Sequence, residues 1–182
     1  MTRTTQSDID NMRRQGFDHE TIRRAKVNME LTKQADKLCN IVSKAFSGVQ
    51  LGKGVGLFEG QAIDDYETEE IRNQSRNKDE KESWDKIEPK HLNACHSSLS
   101  FFDSLGMRFH LPAFIIADLR GEYDMGMEFT LTHLDNYQKT KFGLLSPEQR
   151  IAVREYLQFL RKDPDSEFDY PHIDRALEEY WK

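Results

Sequence analysis

Residues 99–119 read Leu-Ser-Phe-Phe-Asp-Ser-Leu-Gly-Met-Arg-Phe-His-Leu-Pro-Ala-Phe-Ile-Ile-Ala-Asp-Leu, and they set Asp103, Arg108, His110 and Asp118 into the most apolar stretch of the chain. Charged groups are costly to bury unless they are paired. An imidazole oriented by a carboxylate can act as a base, and a guanidinium can hold an anionic group bidentately. Arg76, Asp79 and Glu80 form a second charged cluster able to meet the first. Two arrangements are open. One is a pocket around Arg108, His110 and Asp118, near the glycine-rich connector, that serves an enzyme or a small-ligand binder. The other is an internal network in which Arg108 pairs with Asp79, Glu80 or Asp118 and His110 donates to a backbone carbonyl. Buried networks perturb titration as sites do. Arg108 and His110 diverge on a helix and share a face on an extended segment, and Pro112 favours an extended Leu111.

Other spacings are less specific. His91 and Cys95 stand four apart with His96 following, so a helix would set two zinc ligands on one face. No further ligand stands nearby and there is no His-Glu-x-x-His pattern, so neither a metal nor another cofactor is expected. Residues 48–60 hold five glycines around Lys53. They do not make a phosphate loop, since no Ser or Thr follows Lys53 and no strand precedes the segment. Val49, Leu51, Val55, Leu57 and Phe58 read instead as anchors that pin a turn-rich connector to the core. There is no G-x-S-x-G elbow and no Cys–His nucleophile signature, so no catalytic residue is assigned.

Asp64, Asp65, Glu67, Glu69 and Glu70 form an acidic run, which is either a solvated helix surface or a place to meet a basic partner. The whole chain leans the same way, with 32 acidic against 26 basic residues and a formal charge of -6. That balance disfavours nucleic acid and anionic membrane, both of which attract cations, and suits a basic protein. With 182 residues, 37% of them hydrophobic, the chain can close one core. Cys39 and Cys95 make no disulfide framework, and no apolar run has the length of a leader or a membrane span. The expected setting is a reduced cytoplasm.

The elements that must position these groups are helical. Asp18 caps a helix from about His19, with Ala35, Leu38, Ile41, Val42, Ala45 and Phe46 on one face and Gly48 at its end. Residues 62–83 read as one solvated helix, with Arg72 and Arg76 set against Glu69 and Glu80. Pro89 opens a helix that Gly106 ends, Pro112 opens the next, and Gly121 stops it. Alternation at Met125, Met127, Phe129, Leu131 and Leu134 allows a short strand. Ser146-Pro147-Glu148-Gln149 is a capping box, and the last helix starts near Pro171. Residues 1–17 form a polar, loosely docked extension, and 18–182 a mainly α, irregular bundle with at most one short strand pair.

Several stretches together resemble a bacterial family of unknown function: Ala45 to Leu57; Ile63-Asp-Asp-Tyr66; Arg76 with Asp79-Glu80 and Trp84; Ser98 to Phe114 with its Met-Arg-Phe-His-Leu-Pro-Ala run; Gln149-Arg150; and Ala176 to Trp181. The resemblance runs from about residue 35 to the end and implies a self-contained unit without lending it an activity. The leading expectation is a non-enzymatic binding protein of immunity or antitoxin type that blocks a basic toxin through its acidic surface. The alternative is the pocket around Arg108, His110 and Asp118. A third reading is a homodimer packed through the aromatic C-terminus.

Overall fold

The computed structural model describes residues 3–182, and among them the chain is helical throughout, with no strand. In order, the helices are α1 (Gln6–Arg14), α2 (His19–Ala45), α3 (Leu57–Asp64), α4 (Glu69–Lys78), α5 (Pro89–Ala94), α6 (Ser104–Leu119), α7 (Glu128–Thr132), α8 (Asn136–Lys141), α9 (Pro147–Leu160) and α10 (Tyr170–Glu179). Short 3-10 turns fill Trp84–Lys86, His96–Ser100 and Pro164–Asp169. No helix among the described residues is long and apolar enough to cross a membrane.

The helix ends follow local chemistry. Asp18 accepts the Thr21 N–H at 2.9 Å and starts α2. At α9, Ser146 Oγ accepts the Gln149 N–H, Gln149 Oε1 accepts the Ser146 N–H, and Pro147 fills the first helical position. Gly121 closes α6 with φ 69°, its N–H on the Asp118 carbonyl and the Glu122 N–H on that of Ala117. In residues 1–17, whose first two lie outside the described residues, Thr5 and Asp8 form a capping box at α1. Ile9 is fully buried there, and the Thr4 N–H donates to Thr32 Oγ1 at 3.0 Å.

α6 is the axis of the core. Met107, Phe109, Leu111, Phe114, Ile115 and Leu119 are all sealed, so the helix is apolar on nearly every side and must be surrounded. α2, α5, α8 and the Trp84–Lys86 turn pack on it, and α9 packs on α2. This corrects the boundaries expected at Gly106 and Pro112, because both residues lie inside α6. Asp103 starts the helix by accepting the Gly106 N–H at 2.7 Å. Gly106 is there for closeness, since a Cβ would stand 2.3 Å from the Val55 carbonyl oxygen. Pro112 costs a helix interior about 3 kcal/mol. Burying Phe109, Leu111, Phe114 and Ile115 at roughly 1.5–3 kcal/mol each outweighs that. Leu111 is therefore helical rather than extended.

Two further expectations are corrected. Residues 62–83 are not one helix: α3 ends at Asp64 and α4 starts after Thr68. Tyr66 sits between them with φ 56°, its N–H on the Ile63 carbonyl and the Glu67 N–H on that of Ala62. This is the two-bond helix stop that glycine usually makes, here made by tyrosine. The strand allowed at 125–134 is α7 and its flanks. Met127 and Leu131, four apart, are sealed, while Met125 and Phe129 stay exposed, which is the period of a helix.

The C-terminus closes the bundle. Trp181 is 1% exposed, packs on Phe142 and Tyr180, and donates its Nε1–H to the Leu131 carbonyl at 2.9 Å. The indole thus finds its partners within its own chain. Nearby, Lys141 is 2% exposed and its ammonium donates to the carbonyls of Leu99 at 3.2 Å and Ser100 at 2.7 Å. Cys39 and Cys95 are buried free thiols, and burial raises both pKa values, that of Cys95 to about 11. Trp181→Ala should cost ~3–5 kcal/mol, read as a lower urea midpoint, and Trp181→Phe, which keeps most of the packing, should cost clearly less. Equal midpoints for wild type and the alanine variant would refute this docking.

Candidate functional site

Helix α3 begins at Gly56, a residue with no side chain to cap it. Asp79, which ends α4, supplies the missing group from across the chain. Its Oδ1 accepts the Phe58 N–H at 2.7 Å and its Oδ2 the Glu59 N–H at 3.3 Å. The fit requires glycine at 56, where a Cβ would stand 1.9 Å from Asp79 Oδ2. Glu59 accepts the Gly56 N–H at 3.2 Å and pairs with Arg76, whose Nη1 also donates to the Gly54 carbonyl at 2.7 Å. The next residue, Glu80, folds its carboxylate over the backbone that follows. It accepts the N–H groups of Lys81, Glu82 and Ser83 at 3.1, 2.9 and 3.1 Å. Trp84 then enters the core and donates to the Phe46 carbonyl at 2.9 Å.

The two carboxylates titrate in opposite directions. Asp79 is buried, and desolvation lifts it to about 6 against the lowering effect of the Phe58 and Glu59 N–H groups. Glu80 is lowered, chiefly by the Glu82 N–H.

From α6, His110 reaches the same place. It is 1% exposed, stacks on Phe102 at 4.4 Å and meets the edge of Phe109 at 5.0 Å. Its Nδ1 lies 2.8 Å from the Gly106 carbonyl, which can only accept, so the proton is on Nδ1. Nε2 therefore carries a lone pair, and it is buried without a partner. Desolvation pulls the imidazole down to about 4, outweighing the Gly106 bond and the Asp103 charge, so it is neutral near pH 7. His110 lines a hollow of about 240 Å³ together with Phe58, Lys78, Asp79, Lys86 and His91. His91 meets the Phe58 ring edge-on at 5.2 Å.

Of the residues marked in the sequence, the structure gathers Asp79, Glu80 and His110 at this hollow. It separates the others. Arg108 diverges from His110 on the helix, makes no ion pair among the described residues, and keeps its Nε buried and unpartnered. The expected pairing of Arg108 with Asp79, Glu80 or Asp118 is thus not formed. Asp118 stands eight residues along α6 from His110, a rise of about 12 Å, and accepts the Tyr156 hydroxyl beside a different hollow. Burial raises both the carboxyl and the phenol. Arg108, His110 and Asp118, expected around one pocket, are not brought together, because α6 runs unbroken through Pro112 and spreads them along the helix. Asp103 is a cap, which also accepts the Val55 N–H at 3.1 Å, and Arg76 pairs with Glu59 rather than Glu80. Sequence reading missed His91 as a wall of this hollow, and missed Lys78 and Lys86, which no motif marks.

Two other surfaces complete the picture. A hollow of about 710 Å³ between α2, α5 and α6 is larger, but Asp85, Lys86, Glu88, Arg120 and Glu122 along it are all exposed and none is a buried titrating group. At the far end of the α3–α4 hairpin, Tyr66 is 95% exposed among Asp64, Asp65, Glu67, Glu69 and Glu70. None of these five carboxylates is in an ion pair among the described residues.

Residues 34–182 match the model of a family of unknown function, DUF6714, and the chain belongs to that family. No curated protein and no solved structure matches it.

Two measurements test the cap. Gly56→Ala should cost ~3 kcal/mol by clash and Asp79→Ala ~1–2 kcal/mol by loss of the cap. The double variant should lose less than the sum, since alanine at 79 removes the obstacle. The second measurement is pH dependence. With its pKa raised, Asp79 contributes stability that is full below 3.8 and lost as pH rises through about 6. With its pKa lowered, His110 contributes stability that is present above 6.5 and lost as pH falls through about 4. Asp79→Asn removes only the first, so its stability relative to wild type should rise by up to about 3 kcal/mol between pH 4 and 6. A flat difference would show that Asp79 ionises as freely folded as unfolded.

Proposed function

We propose that this member of the family is a non-enzymatic binding protein that docks a basic protein partner through the acidic tip of the α3–α4 hairpin. Tyr66 carries the reading. A non-glycine residue in the left-handed region costs roughly 1–2 kcal/mol, and this tyrosine gains no burial within its own chain in return. An exposed aromatic side chain with polar groups around it is what the centre of a protein interface offers a partner. Ile71, 40% exposed one turn into α4, extends the apolar contact. None of the five surrounding carboxylates is in an ion pair among the described residues, so they are available to steer a cationic surface toward the tip.

The narrower form of the reading is an immunity- or antitoxin-type inhibitor acting in the cytoplasm, where the tip covers a basic toxic enzyme such as a nuclease. Its support is the charge of the tip and the net charge of -6. It adds one requirement, that the bound partner loses its activity.

The test begins with the tagged chain purified from its host and the protein that elutes with it at a near one-to-one ratio, identified by mass spectrometry. With the isolated pair, Tyr66→Ala should weaken binding by about 30-fold or more, as expected for a central anchor. Replacing Asp64 and Asp65 with Asn should slow association and flatten its dependence on salt while changing dissociation little. Binding that is indifferent to salt and to Tyr66, or a chain that elutes alone, would overturn the proposal.

A further inference from the structure

We infer that the His110 hollow is a binding site for a small amino acid, seated with its ammonium inward and its carboxylate at the rim. The argument is an accounting of unspent polar groups. At the inner end, His110 Nε2 is an acceptor, buried and without a partner, on a residue only 1% exposed. The carboxylates of Asp79 and Glu80 line the same hollow; backbone N–H groups already bond to them, so what they add when ionised is negative charge. The lone pair of Nε2 together with that charge asks for a ligand group that donates and carries positive charge.

The rim asks for the opposite. Lys78 and Lys86 are exposed, border the same hollow, and take part in no ion pair among the described residues. Lys86 acts on the Glu80 carboxylate only at longer range than an ion pair, so the two ammonium groups keep donors for a carboxylate. Leu57, Phe58 and Ile87 add an apolar wall for a side chain. A single water could satisfy Nε2, but one water takes about 30 Å³ of a hollow of about 240 Å³ and answers neither lysine. A zwitterion with a short spacing between its charges answers both ends at once. This site lies at the opposite end of the α3–α4 hairpin from Tyr66, so it stands or falls separately from the docking of a partner at the tip.

The test is NMR of the 15N-labelled full chain titrated with glycine, alanine, serine and leucine, followed at the His110 Nε2 resonance and at the backbone amides. At least one of the four should move the Nε2 signal in the direction of hydrogen-bond acceptance and saturate. For leucine, the analogue lacking the ammonium, 4-methylpentanoate, and the one lacking the carboxylate, 3-methylbutylamine, should each bind about tenfold more weakly or worse, as loss of a charged contact implies. Replacing both Lys78 and Lys86 with Ala, on the exposed rim where folding is not at stake, should weaken the amino acid severalfold and leave 3-methylbutylamine unchanged. Four silent titrations would overturn the site. So would shifts confined to Lys78 and Lys86 without any at Nε2, or equal binding of leucine and its amine analogue.

Discussion

One buried carboxylate organises both ends of this molecule that can do something. Asp79 closes the start of α3 from the end of α4, so the two helices are tied at that end and free at the other. The tie turns Glu59 toward Arg76, and through Arg76 it holds the glycine-rich connector at Gly54. It also delivers Glu80 and the following turn to the mouth of the His110 hollow. The free end is the acidic turn at Tyr66. The tie works only while position 56 has no side chain, so a main-chain helix start with nothing of its own to offer is the constraint from which the rest is built.

How much of this can be read from the sequence depends on whether the cause is local. Asp18, Ser146 with Gln149, and Gly121 each bond within a few residues, and their helix ends stand where spacing puts them. Gly106 and Pro112 mislead for the same reason in reverse. Both are local breakers, and both are overridden by burial of α6, which single residues do not reveal. The break at Tyr66 is invisible because the residue that makes it is not one that normally would. The site shows the same division. His110 stands out as an ionisable group in apolar sequence and Asp79 as one member of a charged run, but their meeting depends on Asp79 crossing 21 residues to reach Phe58. Arg108 and Asp118 look equally promising in sequence, and helix geometry alone turns them away.

The family match starts at Gln34, partway along α2, and takes in everything from the glycine-rich connector to Trp181. Both surfaces with chemical character, the tip and the hollow, therefore fall inside the matched span. α1 and the first half of α2 fall outside it, and they contribute the sealed Ile9 and the Thr4–Thr32 bond rather than any of the groups at issue. Of the five glycines of the connector, Gly48 and Gly52 turn the chain with positive φ and the other three serve close approach. Besides Gly56, Gly54 lies against Leu105 and Gly60 against Ser98, in each case closer than a Cβ would permit.

Lys141 carries a consequence of a different kind. Its ammonium is held by the last carbonyls of the His96–Ser100 turn and lies 4.9 Å from the Tyr137 ring centre, with burial lowering its pKa. Amine-directed acylation needs an accessible, deprotonated nitrogen, and here the nitrogen is shielded by the fold. Among lysines that react on contact with reagent, such as Lys78 and Lys86, this one is chemically silent for as long as α8 stays seated. Its labelling is then a clock that counts openings of the C-terminal half, built into the chain without any added probe.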